Sequence, residues 1–166
     1  MKNKLAIFVA AALLGGCSGK SLDQAGTATS VKTERPVSEP AVETTPDATS
    51  TAATVDGYKK DIAERIVQVN STKVYTTRPQ ALLRSVIVVK YVIDGGGNLV
   101  RSEIVRTNRD RANEVTAMAT LKNTAPFPKP PLHLLRQNRL ELSESWLFNS
   151  DGRFQLRSIA LPQMDQ

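Results

Sequence analysis

Apolar residues are spaced along this chain in several different ways, and each spacing predicts a different kind of element. Residues 5–14 (LAIFVAAALL) form one unbroken apolar run. Residues 18–56 show no apolar period and contain no aromatic side chain. Tyr58, Ile62, Ile66 and Val69 then recur at helical spacing, with Lys59, Lys60, Asp61 and Glu64 on the remaining surface. This predicts an amphipathic helix that covers a sheet, with Asp56 as its cap, Val55 as a staple residue, and Asn70, Ser71 and Thr72 as its end.

The period changes to two further on. Residues 82–93 (LLRSVIVVKYVI) are dense in β-branched side chains, and Ile87, Val89, Tyr91 and Ile93 form the better core face. The run DGGGN at 94–98 reads as a turn, and LVRSEIVR at 99–106 returns as a second strand. The three glycines precede a strand rather than a helix, and no Gly-Lys-Ser/Thr follows, so a phosphate loop is excluded. A second helix fits residues 113–124, with Val115, Met118 or Ala119, and Leu121 facing inward, and Pro126 ends it. After the rigid FPKPP connector, residues 140–148 (LELSESWLF) alternate, placing Leu140, Leu142, Trp146 and Phe148 inward. Glu144 breaks that alternation and is expected near the rim of the inner face. A turn at Ser150, Asp151 and Gly152 leads to a fourth, shorter strand over 153–160. The expected fold is α+β: a small antiparallel sheet in α-β-β-α-β-β order, with both helices on one face, preceded by a flexible linker.

The first apolar run is about half the ~20 residues that a membrane-spanning helix requires. Lys2 and Lys4 precede it, and Gly15 and Gly16 lead into Cys17, the only cysteine. That order fits a signal peptide, and it resembles the lipobox of bacterial lipoproteins, in which the cysteine is acylated and begins the mature chain. The alternative is an ordinary secretory signal followed by a free thiol. The expected organisation is a signal peptide at 1–16, lipidated Cys17 with a linker through 56, and a folded head at 57–166. Ser18 after Cys17 resembles lipoproteins sorted to the outer membrane, so the expected location is its periplasmic face, with the inner membrane as the alternative.

Charge is unevenly distributed. Residues 18–56 carry three basic and six acidic side chains, whereas residues 57–166 carry seventeen and ten. A basic head suits anionic lipid, cell-wall polymer or an acidic protein patch. Aromatics are few and not interleaved with the basic residues, which argues against nucleic acid. Nothing in the chain carries catalysis. His133 is the only histidine and lies in a Pro-rich connector, so no His-His metal motif exists. No serine sits in a Gly-x-Ser-x-Gly elbow. The acidic pairs Glu103 with Asp110 and Glu141 with Glu144 carry no sign of burial that would separate their pKa values. No cofactor is expected.

Several strings, taken in order, resemble the C-terminal domain family of TonB and TolA. They are Arg78-Pro79-Gln80-Ala81-Leu82 with the strand and turn at 86–95, then Glu114, Ala117, Met118 and Leu121, the APFPKPP segment at 125–131, and the closing strand with Trp146 and Phe148. The long first helix is more similar to the TolA side. The resemblance covers about residues 57–160. It implies an envelope interaction module that binds a partner protein by strand addition near the last strand, through Arg153, Phe154, Gln155, Leu156 and Arg157. It also implies a contribution from the segment leading into the sheet, from Asn70 to Tyr75. The family's transducers carry a transmembrane anchor where this chain has the Cys17 lipobox. An acyl anchor offers a proton-driven motor no helix to push. The alternative function is a structural envelope lipoprotein whose basic head rests on anionic lipid or cell wall. Partner identity and oligomeric state are open.

Overall fold

A computed structural model of the chain describes residues 47–164. Cys17, the signal segment and most of the expected linker lie outside the described residues. The elements are α1 (Val55–Val69), β1 (Ser85–Asp94), β2 (Leu99–Arg106), α2 (Arg111–Thr124), β3 (Arg139–Phe148) and β4 (Phe154–Leu156). The four strands form one antiparallel sheet in the order β2-β1-β3-β4. The fold is α+β, as the alternating patterns require.

The core lies between the helices and one face of the sheet. Ile87, Val89, Tyr91 and Ile93 of β1 are buried against Leu140, Leu142, Trp146 and Phe148 of β3, with Phe154 and Leu156 of β4 completing the layer. From above, α1 contributes Tyr58, Ile62, Ala63 and Ile66, and α2 contributes Ala117 and Leu121. A polar bond ties α2 to this layer, the Trp146 indole N–H donating to Thr120 Oγ1 at 3.1 Å, and within α2 the Thr124 hydroxyl donates to the Thr120 carbonyl at 2.7 Å. Between β1 and β2, Asp94 Oδ1 accepts the Gly96 and Asn98 N–H groups at 2.9 Å each. Gly97 has a φ of +83°, and its carbonyl accepts the Phe127 N–H at 2.8 Å, which anchors the Pro-rich connector to the turn.

Several boundaries differ from expectation. The folded part extends back to Asp47 rather than beginning at 57. Ser50 N–H donates to the Lys129 carbonyl, Lys129 N–H donates to the Ala48 carbonyl, and the Ser50 hydroxyl bonds the Asp61 carboxylate. Thr54, not Asp56, caps α1, its Oγ1 accepting the Gly57 N–H at 3.1 Å, and Val55 is the first helical residue. Val69 is half exposed, so the buried stripe of α1 ends at Ile66. Leu82 is exposed, and β1 starts at Ser85. Helix α2 starts two residues early because Asp110 caps it, accepting the Asn113 N–H. Val115 is 63% exposed, and α2 instead buries Asn113, Glu114, Ala117, Thr120, Leu121 and Thr124. The fourth strand is only three residues long, because the chain turns back at Leu156, whose carbonyl accepts the Ile159 N–H.

Candidate functional site: the open edge of the sheet

A sheet recruits a further strand where backbone N–H and C=O groups point outward without partners. Three stretches qualify as edges in this topology: the outer side of β2, the outer side of β4, and the part of β3 that β4 does not reach.

The outer side of β4 is partly filled. Val74 forms a parallel bridge with Phe154, and the Tyr75 N–H donates to the Phe154 carbonyl at 3.2 Å. The Gln155 side-chain amide donates to the carbonyls of Tyr75 and Thr77 at 2.7 Å each. The Tyr75 hydroxyl donates to the Leu147 carbonyl, and burial raises its pKa to about 12, with Asp151 adding to the shift. Of the residues expected to bind a partner, Phe154 and Leu156 are buried in the core, and Gln155 and Tyr75 bind each other. Asn70 is buried as well. Its amide donates to the Ile66 carbonyl at 2.8 Å and to Thr124 Oγ1 at 3.1 Å, which locks the ends of the two helices together. On the last strand only Arg153 and Arg157 have exposed side chains, with Arg153 paired to Asp151 at 2.7 Å, and in the segment before the sheet Ser71, Thr72 and Lys73 are exposed.

The outer side of β2 is longer but guarded. Its register against β1 shifts twice, so that Val100 and Val105 are extra residues, and Arg101 and Glu103 put charge on the strand between them. Bulges and charges of this kind discourage edge pairing.

The gap on β3 has no bulge, and its one charged outer residue, Glu141, is held by Lys90 at 2.8 Å and Arg101 at 3.1 Å. Ladder direction follows from two bonds that flank β4: Asn149 N–H to the Arg153 carbonyl at 2.9 Å, and Arg157 N–H to the Ser145 carbonyl at 3.0 Å. Between them, Leu147 and Gln155 form a hydrogen-bonded pair, so the odd-numbered residues of β3 point their backbone groups toward the β4 side. Glu141 and Ser143 therefore face outward beyond the end of β4. Among the described residues no backbone group bonds them on that side. The gap is short. Arg136 and Arg139 exchange two backbone bonds at its far end, at 2.9 and 3.0 Å, and Arg157 closes the near end.

Beside this gap, between β3 and the first turns of α1, is an open hollow of about 430 Å³ lined by Lys59, Lys60, Ser143, Arg157 and Ser158, with Glu144 at its floor. Glu144 is only 3% exposed, which corrects its expected place at the rim and the expectation that no acidic residue of its pair is buried. The alternation of β3 turns its side chain toward the helices, as the sequence indicates. Its Oε1 accepts the Ser145 N–H at 2.7 Å, Oε2 is enclosed without a bond of normal geometry, and the Ser158 hydroxyl and backbone N–H also lie against the carboxylate. Burial raises the Glu144 pKa, and nearby Ser158, the Ser145 N–H and Lys59 offset only part of this. The Tyr91 hydroxyl is a second buried group without a partner, and burial together with the Glu144 charge raises its pKa. The one sequence signal for this site was the acid that interrupts LELSESWLF.

His133 lies on the surface, with Nε2 3.0 Å from the Ala53 carbonyl. No cluster of three or more His, Cys, Asp or Glu side chains able to hold a metal ion occurs among the described residues. Among the same residues, no helix is long and apolar enough to cross a membrane. No family model matches this chain, and no curated protein or solved structure matches it.

Proposed function

We propose that this protein is a lipid-tethered envelope interaction module of the TonB/TolA C-terminal type, which holds a partner protein by strand addition in envelope transport or assembly. The supporting observation is the mismatch between a ten-residue β3 and a three-residue β4, which leaves the outward backbone groups of Glu141 and Ser143 open to a further strand. On this reading the grip is on β3 rather than on the outer side of β4. Acylated Cys17 holds the chain at the periplasmic face of the outer membrane, and the module has no enzymatic role and no nucleic-acid partner.

Proline at an outward-facing edge position of β3 removes an N–H that the added strand would accept while sparing the sheet's own ladder. Ser143→Pro is therefore expected to keep a cooperative melt close to that of the wild type. It should lose the proteins crosslinked to the wild-type chain in envelope extracts. The alternative reading, a basic head resting on anionic polymer or lipid, is favoured by the exposed corner of Arg106, Arg109 and Arg111. Binding of that kind fades by about 0.5 M salt, where screening is strong, and is lost in Arg109→Glu/Arg111→Glu. If the captured proteins survive Ser143→Pro but not salt and the arginine changes, strand addition is wrong and the electrostatic reading replaces it.

A further inference from the structure

We infer that a hollow on the sheet face away from the helices, where the Pro-rich connector turns into β3, binds a phosphate group through Arg136, Arg139 and Arg101. The site is built of side chains, so it holds whether or not a further strand joins β3.

A two-residue hairpin sets its geometry. Arg136 and Arg139 exchange both backbone bonds across Gln137 and Asn138, whose φ angles are +50° and +59°. Two left-handed residues in succession suit a tight hairpin, but glutamine adopts that conformation only at a cost. The Asn138 carbonyl accepts the Gly95 N–H at 3.1 Å, which fixes the hairpin to the β1–β2 turn. Residues that exchange both bonds stand about 5.5 Å apart at Cα, with their side chains on one face. The hairpin therefore holds two guanidinium groups side by side. Like charges directly opposite each other are destabilising, and among the described residues no carboxylate pairs with either arginine. Asp94, opposite Arg139 in the ladder, spends its carboxylate on Gly96 and Asn98 instead.

Arg139 and Glu141 share a face of β3, because Leu140 and Leu142 take the other into the core. Arg101 of β2 reaches that same face across Val92, which lies between it and Glu141 in register. The three arginines line one hollow of about 500 Å³, with Val92 and Leu134 as apolar wall. Glu141 is the only acid lining it among the described residues, and Lys90 at 2.8 Å and Arg101 at 3.1 Å already hold its carboxylate. The hollow stays positive.

This arrangement favours phosphate over carboxylate. One guanidinium fork occupies both oxygens of a carboxylate and leaves the other arginines unanswered. A phosphate monoester carries more charge and a third terminal oxygen, so it can accept from the hairpin pair and Arg101 together. The apolar wall suits the carbon part of the ester. A soluble phosphate ester and a lipid headgroup both carry this group.

The test titrates the full chain with glycerol 3-phosphate and with succinate, a dicarboxylate, by calorimetry and by the arginine Nε–H chemical shifts. Glycerol 3-phosphate is expected to shift Arg101, Arg136 and Arg139 and to bind at least about tenfold more tightly than succinate. Arg136→Gln/Arg139→Gln should lose a similar factor while melting no lower than the wild type, since a like-charge pair is gone. Arg109→Gln/Arg111→Gln, at the other basic corner, should bind as the wild type does. Co-sedimentation with phosphatidylcholine vesicles, with and without phosphatidic acid, separates the two sources. Extra recruitment by phosphatidic acid that the Arg136/Arg139 variant loses assigns a lipid. Glycerol 3-phosphate binding without that recruitment assigns a soluble ester. The site is overturned if succinate binds equally well, if phosphate binding survives in the Arg136/Arg139 variant, or if that variant melts well below the wild type. It is overturned too if neither glycerol 3-phosphate nor phosphatidic acid is bound, or if the Arg109/Arg111 variant loses binding to the same extent.

Discussion

The Gln155 side-chain amide donates to the Tyr75 carbonyl at 2.7 Å, so the two segments that a TonB/TolA resemblance offers as a binding surface hold each other instead. The same amide reaches the Thr77 carbonyl. Gln155 is therefore a clasp that fixes the segment before β1 along the outer side of β4.

Removing the clasp should loosen that segment. Gln155→Ala leaves the Tyr75 and Thr77 carbonyls without their donor, and is expected to cost about 1–3 kcal/mol. Urea unfolding measures the loss, and amide exchange should quicken at Tyr75, whose N–H bonds Phe154. Exchange at Tyr75 as slow as in the wild type would show that the clasp does not hold the segment.

Trp146 is fully buried and bonded to Thr120. Trp146→Ala is expected to cost about 3–5 kcal/mol through the cavity it leaves, a large share of the stability of a domain this size. Trp146→Phe keeps most of the ring contact but loses the Thr120 bond, so its melting temperature should fall between those of the wild type and the alanine variant.

Two glycines with similar backbone angles should respond differently. A Cβ at Gly97 would sit 2.2 Å from the Phe127 carbonyl oxygen, whereas one at Gly152 would meet nothing within 4 Å. Gly152→Ala carries only the left-handed backbone penalty, roughly 1–2 kcal/mol. Gly97→Ala adds a clash with fixed backbone and must push the connector away from the turn. Chemical denaturation is expected to rank Gly97→Ala well below Gly152→Ala.

Glu144 and Asp94 tilt the pH dependence of stability in opposite senses. Burial raises the Glu144 pKa above its ordinary value of 4.5, so the native state favours the protonated acid. Its favourable contribution is present below pH 4.5 and is lost as pH rises through the native value. Glu144→Gln should therefore melt higher than the wild type at pH 8, with the difference closing toward pH 4. Asp94 behaves conversely. The backbone N–H and then the side chain of Asn98 hold its carboxyl below the usual 3.8. It stabilises the native state above that value, and the contribution is lost as pH falls through the native one. Asp94→Ala should lower the melting temperature at pH 7, and the difference should shrink in acid.

Acylation of Cys17 has a simple readout. Each buried methylene contributes ~0.8 kcal/mol, and stable anchoring takes more than one chain. Cys17→Ser is expected to leave the precursor without a fatty-acid label and to release the protein from membranes in an alkaline wash. Continued labelling and retention in the membrane fraction would exclude a lipid anchor at this residue.

Local repetition carried much of the fold into the sequence. Ile87, Val89, Tyr91 and Ile93 share a face because successive strand side chains point to opposite sides, and Tyr58, Ile62 and Ile66 share one because a helix turns every 3.6 residues. Both patterns need only neighbouring residues, and both sets occupy the core. The inward face of α2 was not legible this way. Apart from Ala117 and Leu121 it is polar, and Thr120 and Thr124 are buried because the Trp146 indole and the Asn70 amide, distant in sequence, supply their bonds. Glu144 was visible as a break in an alternation, but its depth depends on α1 lying across it. The edges were the least legible part. Whether the backbone groups of Ser143 or Phe154 are open depends on where β4 stops and on a segment some eighty residues before it, and a strand's side-chain pattern is the same whether or not its edge has a partner.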